Sequence, residues 1–428
     1  MQYEINSAGK YSIATIKREK CSVVTAYLAV DVHESNTILN QATGILYPDA
    51  LLSGTKTMTR EEFLDKVNTL GASINVNFQN SVLTITLKST SESFFKLLSL
   101  TEKMLLEPAF NSKELKRNKE TSKNNLREEK ENSKAVAHEE LLNLFYDKTD
   151  RKYSYDIDDL IKTIDTVNSQ EIKKLHNKIL QNNWICSIAA TEKINNEFKR
   201  TIQKLAKEYD NDVFSVKSHK QKNTRNELAL KNIPSRQNID FSIGRPIPFT
   251  LHHPDFLTLS FAISILAQWG GFAGRLMSTV REKEGLTYGI YGQLAGFSAN
   301  EQGYMRIMTF FAPDKALQGL TSTFREINNI YKKGVSQKEV DKFKNILNTK
   351  QTLLNDSVGS LLMDMHAYHT HGFTVEEIEE HKARLCKITR KEVNEVIRKY
   401  LNPKELSISA AGPTDTVKKD LKSFLKKV

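Results

Sequence analysis

The sequence has few cysteines and no cysteine cluster. Its 428 residues contain three, Cys21, Cys186 and Cys386, and these lie far apart. Scattered cysteines exclude a disulfide framework and a zinc knuckle, since both need thiols at short, regular spacing. Each of the three falls in or beside an apolar stretch, so we expect free thiols that are largely buried.

The sequence also lacks a hydrophobic run that could cross a membrane. The apolar stretch from Phe256 to Trp269 is 14 residues long, whereas a membrane-spanning helix needs ~20. The first twenty residues have no apolar core of the kind found in signal peptides. We therefore expect a cytoplasmic protein that does not bind membranes, or a periplasmic protein if a leader has been removed.

Charge of one sign is not concentrated in a patch. Lysine and arginine number 62 against 51 aspartates and glutamates, which gives a formal net charge of +11. In the lysine-rich stretch 113–134, glutamates alternate with the lysines, a pattern typical of a solvated helix face. A nucleic-acid interface would need a basic patch with aromatics or a recognisable module. We find neither, and we expect no nucleic-acid partner.

Two common catalytic motifs are missing as well. The sequence has no Gly-x-Ser-x-Gly nucleophile elbow and no Gly-x-x-x-x-Gly-Lys phosphate loop. These absences argue against a serine hydrolase of the elbow type and against a P-loop nucleotidase.

What the sequence does contain is an internal repeat. The segment Glu171–Ala190, an amphipathic helix followed by an apolar strand, reappears 221 positions later as Glu392–Ala411. A second block, 83–98, recurs as 305–320. A period this long indicates a duplicated domain and not a solenoid.

Each copy alternates predicted strands and helices. In the first copy we predict a strand over Val23–Val32, helices over Asn36–Leu52 and after the capping residue Thr59, a hairpin around Gln79-Asn80, and one long helical stretch over Ser112–Phe145. This order predicts an α+β fold with two homologous domains, each a mainly antiparallel sheet with helices packed on one face. We place the domains at residues 1–207 and 237–428, joined by a polar, lysine-rich linker at 208–236.

The stretch Gln268–Gln293 carries the most distinctive pattern. An apolar run ends in Gly270-Gly271, a short amphipathic helix follows, and Arg281 and Tyr288 stand on either side of a Gly-Leu turn. Glycine permits the tight backbone that such a corner needs. An arginine and a tyrosine held at the two ends of one turn are well placed to bind a peptide carbonyl.

A simpler interpretation of the same residues stays open. Arg281 could form a surface ion pair with Glu282 or Glu284, and Tyr288 could be an ordinary strand aromatic.

The stretch resembles the second-domain signature of the pitrilysin-like (M16) zinc metallopeptidases, which include insulin-degrading enzyme and the mitochondrial processing peptidase. The similarity rests on WGGFAGRLMS at 269–278 and VREKEGLTYGI at 280–290, and continues through Gly303, Glu339, Lys342 and Asn402-Pro403 to Ala411-Gly412-Pro413. It implies that the two domains form half of a clam shell whose second half is another subunit. It also implies that Arg281 and Tyr288 contact the substrate backbone beside the scissile bond.

The resemblance further implies an inverted zincin motif, H-x-x-E-H, on the long helix of the first domain, and here this motif is absent. Aligning the Gly-Thr of the family with Gly54-Thr55 leaves Ile45 and Asp49 where the histidines belong and Pro48 where the glutamate base belongs. The third ligand of the family falls at Asn125. A catalytic zinc needs three protein ligands, so we expect no metal on this chain and no catalysis by it alone.

Two functional hypotheses follow from the resemblance. The first is a non-catalytic, substrate-binding subunit of a heterodimeric M16 zinc peptidase. It would supply Arg281 and Tyr288 to a partner that carries H-x-x-E-H and the zinc, and would bind a peptide or an unfolded polypeptide. The alternative is a purely structural or scaffolding M16-like protein without peptidase function.

A third, minor hypothesis concerns the histidine-rich segment His366, His369 and His371. Histidines at positions i and i+3 share a helix face, and imidazole suits zinc. A metal bound there would make the chain a peptidase with a displaced site. Polar and aromatic residues commonly gather where a helix ends, which gives the segment a structural interpretation too.

Overall fold

The computed structural model describes residues 3–32, 34–207, 221–222, 224–268 and 273–427. Helices and strands alternate along the chain. The strands up to residue 207 are β1 (Tyr3–Ala8), β2 (Tyr11–Lys17), β3 (Val23–Asp31), β4 (Gly54–Thr55), β5 (Met58–Thr59), β6 (Ser73–Gln79), β7 (Val82–Thr90) and β8 (Trp184–Ala190). The helices up to that point are α1 (Ile38–Leu51), α2 (Arg60–Thr69), α3 (Phe94–Leu106), α4 (Ser112–Lys130), α5 (Ser133–Phe145), α6 (Ile157–Thr166), α7 (Ser169–Gln181) and α8 (Glu192–Lys207).

The second half repeats this alternation. Its strands are β9 (Leu228–Asn232), β10 (Ile239–Pro246), β11 (Ile290–Ala295), β12 (Tyr304–Phe311) and β13 (Ser407–Gly412). Its α-helices are α9 (Asp255–Ala267), α10 (Ala316–Lys333), α11 (Gln337–Asp356), α12 (Val358–Thr370), α13 (Val375–Lys387), α14 (Arg390–Tyr400) and α15 (Lys418–Lys427). A π-helical segment spans Met277–Lys283, and short 3-10 turns span Pro313–Lys315, Pro403–Glu405 and Thr414–Thr416. Among the described helices, none combines the length and apolar character that crossing a membrane requires.

The chain forms two compact units, and each unit contains segments from both halves of the sequence. The first unit comprises Met1–Leu126, Tyr155–Lys217 and Thr352–Glu379; the second comprises Arg127–Ser154, Ser218–Gln351 and Glu380–Val428. Helix α5 therefore belongs to the second unit, and helix α12 belongs to the first. The two repeats exchange one helix each.

The first unit is built on a six-stranded sheet in the order β1-β2-β8-β3-β7-β6. Neighbouring strands are antiparallel except for the pair β2 and β8. Alternate residues such as Leu28 and Ile85 point to one face and form the main core with α1, α3, α7 and α8. The opposite face, with Ala14, Ile16 and Ala189, packs against Leu361, Leu362 and Met365 of α12.

The second unit is built on a five-stranded sheet in the order β11-β12-β10-β13-β9. Its strands are antiparallel except for β13 and β9. One face carries the core side chains, including Ile243 and Ile307, which pack against α9, α10 and α14. Helix α5 covers the other face, where Val136 and Ala137 pack on Ala411 and the Ser133 hydroxyl donates to Asp240 at 2.5 Å.

The structure confirms the α+β fold class with two sheet-and-helix halves, each sheet being mixed and open. The prediction placed helices on one face of each sheet. The exchanged helices α5 and α12 add one helix to the second face of each sheet. The domain limits at 207 and 237 follow the duplication along the chain and stay a prediction.

One local prediction was wrong. The helical stretch 112–145 is broken after Lys130, because the Asn132 side chain accepts a hydrogen bond from the Ala135 amide and starts a new helix. The predicted linker 208–236 contains strand β9, which pairs in parallel with β13. Residues 208–220 and 223 of that linker lie outside the described residues.

A buried hydrogen-bond chain fixes helix α1 inside the first unit. The Tyr47 hydroxyl lies 2.8 Å from His176 Nδ1, and His176 Nε2 lies 2.9 Å from the carbonyl oxygen of Leu105. A carbonyl can only accept, so Nε2 carries the proton and Nδ1 accepts from the tyrosine. This chain of hydrogen bonds connects α1 to α7 and α3.

We predict that Tyr47→Phe destabilises the protein by about 1–3 kcal/mol, because it leaves the buried His176 Nδ1 without its donor. Urea unfolding followed by circular dichroism measures the change. Tyr331→Phe, on a half-buried side chain of α10, is the matched control and should shift stability by no more than about 0.5 kcal/mol. Equal stability of the Tyr47 variant and the wild type would contradict the assignment.

Candidate functional site

The Arg281–Tyr288 turn begins with the π-helical segment Met277–Lys283. Met277 and Val280 are buried on its inner side. The segment is followed by Gly285, whose φ of +61° suits glycine, and the Leu286 amide donates back to the carbonyl of Val280 at 3.0 Å. π-helical turns are rare and often occur at functional sites. Gly270-Gly271, part of the predicted corner, lie outside the described residues.

Arg281 and Tyr288 contact each other across this turn. The guanidinium carbon of Arg281 lies 4.7 Å from the centre of the Tyr288 ring, and Arg281 Nη1 lies 3.6 Å from the Met277 sulfur. Tyr288 is 72% exposed. The structure thus brings the two predicted residues together, with the tyrosine ring open to solvent and flanked by a cation.

The simpler interpretation of these two residues is only partly compatible with the structure. Glu284, one of the two carboxylates considered as a partner for Arg281, forms an ion pair with Arg325 of α10. Tyr288 precedes β11 by two residues and is therefore part of the turn and not of the strand.

A half-buried ion pair that sequence reasoning missed anchors the segment. Arg275 makes two hydrogen bonds to Glu339, at 2.6 and 2.9 Å, and a third to the carbonyl of Gly334 at 2.9 Å. Burial alone would raise the pKa of Glu339, but hydrogen bonds from Arg275 and Ser336 lower that pKa to about 2. Arg275 and Glu339 both lie at positions that carry the family resemblance. A bidentate arginine–carboxylate pair is a strong positional constraint.

The four positions of the degenerate zinc motif do not fit a zinc ion. On α1, Ile45 packs against the core, Pro48 is half-buried and Asp49 is exposed; Asn125 is exposed on α4. They offer one carboxylate and no imidazole. Within the described ranges, no group of three or more histidine, cysteine, aspartate or glutamate side chains could hold a metal ion.

The histidine segment at 366–371 belongs to a polar network inside the first unit. His366 Nδ1 lies 2.9 Å from the Ser187 hydroxyl, and His369 Nε2 lies 2.6 Å from the Ser12 hydroxyl. The His366 ring also stacks on Tyr27, with centroids 5.1 Å apart. These bonds hold α12 on the sheet, which gives the two histidines a structural role in place of the displaced metal site.

The three cysteines are free thiols, as predicted, but their burial differs. Cys186 is buried, Cys21 is half-buried and Cys386 is exposed on α13. The prediction of largely buried thiols was therefore wrong for Cys386.

Comparison with known protein families matches both halves of the chain. The model described as "Insulinase (Peptidase family M16)" matches residues 43–155, and the model described as "Peptidase M16 inactive domain" matches residues 166–347. The chain belongs to the M16 family. Together the two matches cover the degenerate zinc helix and the Arg281–Tyr288 turn, so the family resemblance seen in the sequence is confirmed.

The relatives of this M16 chain include proteins without peptidase activity. It is 24% identical over 145 residues to the "Non-peptidase homolog YmxG" of Helicobacter pylori, an alignment that spans 33% of this chain and only 32% of that protein. Solved structures match nearly the whole length of the chain. A peptidase M16 inactive domain from Pseudomonas fluorescens matches with a TM-score of 0.83 at 19% identity, covering 97% of this chain and 99% of that chain.

A second solved structure supports the same fold. A protease from Helicobacter pylori matches with a TM-score of 0.82 at 14% identity, covering 96% of this chain and 99% of that chain. At these identities the similarity shows the fold alone. The family matches and the non-peptidase relative support a non-catalytic, M16-like protein.

The buried His369 and the half-buried His366 of α12 predict a pH-dependent stability. Burial lowers the pKa of both His366 and His369 to about 4 in the folded protein, against about 6.5 in an unfolded chain. Between these values the unfolded chain binds more protons, so their stabilising contribution is present above about pH 6.5 and is lost towards pH 4. We expect the free energy of unfolding to fall by on the order of 1 kcal/mol per histidine between pH 7 and pH 5, measured by urea unfolding.

The variant His366→Gln/His369→Gln should show a smaller loss of stability over the same pH interval. His252→Gln, at an exposed position, should keep the full pH dependence. An identical pH dependence in the double variant and the wild type would exclude the two histidines as its source.

Proposed function

We propose that this protein is the non-catalytic, substrate-binding subunit of a heterodimeric M16 zinc peptidase. The observation that carries the proposal is the Arg281–Tyr288 pair, stacked at 4.7 Å with the tyrosine 72% exposed, on a chain whose zinc motif is degenerate. The partner subunit would carry H-x-x-E-H and the metal. The substrate would be a peptide or an unfolded polypeptide.

Tyr288 would stabilise the transition state of peptide hydrolysis. Its phenol can donate a hydrogen bond to the oxygen of the scissile carbonyl as negative charge develops there. A fixed donor in this position contributes more in the transition state than in the ground state, which is what lowers the barrier.

Arg281 would bind the substrate backbone and hold Tyr288 in place. The guanidinium group offers five N–H donors in a plane, so it can stack on the tyrosine ring and still donate to a peptide carbonyl. The Arg275–Glu339 ion pair supports this geometry, because it fixes the start of the segment that carries Arg281. Neither role requires a metal ligand from this chain.

The proposal predicts that peptide hydrolysis needs both subunits and depends on Tyr288. The purified chain is mixed with an M16 chain from the same organism that has an intact H-x-x-E-H, and cleavage of a set of fluorogenic peptides is followed. We expect activity from the mixture and none from this chain alone. Tyr288→Phe should lower kcat by on the order of 10²-fold or more, because it removes one oxyanion donor.

Tyr291→Phe, the same chemical change three residues later on β11, is the matched control and should leave kcat within about twofold. Co-elution of both chains on a sizing column must be unchanged for Tyr288→Phe, so that an effect on assembly is separated from an effect on catalysis. Full activity of the Tyr288 variant would remove the proposed role. Stable assembly with no peptidase activity in any combination would favour the scaffolding alternative.

A further inference from the structure

A basic groove lies on helices of the second unit, and its lining residue Arg325 forms an ion pair with Glu284 of the neighbouring Arg281–Tyr288 turn. It is formed by one face of α10, one face of α15 and the 3-10 turn Pro403–Glu405, and it encloses about 770 Å³. This volume is within the ~300–1,000 Å³ range of protein sites that bind ligands.

The floor of the groove is apolar. Phe324 of α10 and Phe424 of α15 meet edge to face, with ring centroids 5.3 Å apart. Beside them Leu317 is 42% exposed, which is unusual for a leucine on a helix that otherwise buries its apolar side chains. An apolar side chain of a bound molecule would therefore gain contact with Leu317 and remove it from water.

The rim of the groove is positively charged. Lys332, Lys404 and Lys427 are exposed, and within the described part of the chain none of them forms an ion pair. Among the described lining residues, Asp420 alone carries a carboxylate. Arg325 also lines the groove, but Glu284 already neutralises it, so the excess positive charge comes from the three lysines.

The groove is long in one direction. Its lining residues on α10 run from Leu317 to Lys332 at helical spacing, a distance of ~22 Å at 1.5 Å per residue. A compact small molecule would fill only part of this length. An amphipathic helix of three turns, ~16 Å long, matches it and can place apolar residues on the floor and charged residues at the rim.

We propose that this groove binds an acidic amphipathic helix of a partner protein. Leucine-like side chains of the partner helix contact Leu317, Phe324 and Phe424, and its carboxylates lie against Lys332, Lys404 and Lys427. Helix-in-groove binding of this kind takes affinity from the apolar contacts, while the charges set orientation and select the partner. The proposed site is independent of the peptide-holding role of Arg281 and Tyr288.

The test uses the full-length protein and a fluorescein-labelled helical peptide of about 16 residues, with leucines at i, i+4, i+7 and i+11 and glutamates on both sides of the leucine stripe. Fluorescence anisotropy should show saturable binding that weakens when sodium chloride is raised from about 0.05 to about 0.5 M. A peptide with lysine in place of each glutamate should bind at least about tenfold more weakly. Failure of the glutamate peptide to bind the wild-type protein overturns the proposal.

Variants locate the binding. The triple variant Lys332→Glu/Lys404→Glu/Lys427→Glu, and separately Leu317→Ser, should each weaken binding of the glutamate peptide, the triple variant by at least about tenfold. The matched controls are Lys338→Glu/Lys350→Glu/Lys391→Glu, which reverses three exposed lysines outside the groove, and Leu353→Ser, at a leucine that is 61% exposed elsewhere. Equal loss in the control variants overturns the assignment to this groove.

The same proteins test a different occupant, a second copy of this chain. Sedimentation velocity of the wild type and the triple variant distinguishes the two cases. A wild-type dimer that the triple variant abolishes would assign the groove to self-association and overturn the proposal.

Discussion

The six-stranded and the five-stranded sheet each carry buried apolar side chains on both faces, and this constraint organises the whole chain. A sheet face with Ala14, Ile16 and Ala189, or one with Ala411, cannot be left exposed without a cost in free energy. The helices that follow each sheet in sequence cover only one of its faces. The second face is covered by α5 in one unit and by α12 in the other, each supplied by the opposite half of the chain.

The contacts of these two helices are polar as well as apolar. Ser133 donates to Asp240 beneath α5, while Ser12 and Ser187 bond the histidines of α12. Buried polar groups of this kind have to be paired, because an unpaired one is strongly destabilising. The pairing fixes one position of each helix on its sheet, which apolar contacts alone would specify less well.

This M16 chain lacks the zinc ligands of its family but contains the Arg281–Tyr288 pair. Helix α1 has no zinc ligands at Ile45, Pro48 and Asp49, but it is still held firmly by the Tyr47–His176 chain. It has become a structural helix. The segment with Arg281 and Tyr288 is held by an ion pair between Arg275 and Glu339, and its exposed tyrosine contributes nothing to the core.

Much of the fold was accessible from the sequence, because hydrophobic periodicity and the repeat are properties of local pattern. Strand β3, helix α1, the capping box at Thr59 and the hairpin after β6 all follow local signals. The exchange of α5 and α12 was not accessible, since nothing local tells a helix which of two similar sheets it packs on. The break at Asn132 had a local signal, an asparagine that can cap a helix, which the surrounding helix-forming residues obscured. For the site, the motif indicated Arg281 and Tyr288, but only coordinates show that they stack, and that Glu284 belongs to Arg325.

The exchange of helices also governs the order in which the protein can mature during synthesis. A ribosome delivers the chain from the amino terminus, yet the first sheet receives its second cover only from α12, which ends at Thr370. Until that helix has emerged, the apolar face around Ile16 stays open to solvent or to chaperones. The first unit therefore completes its folding late, after most of the second has been translated. Neither repeat can finish folding without a helix from the other.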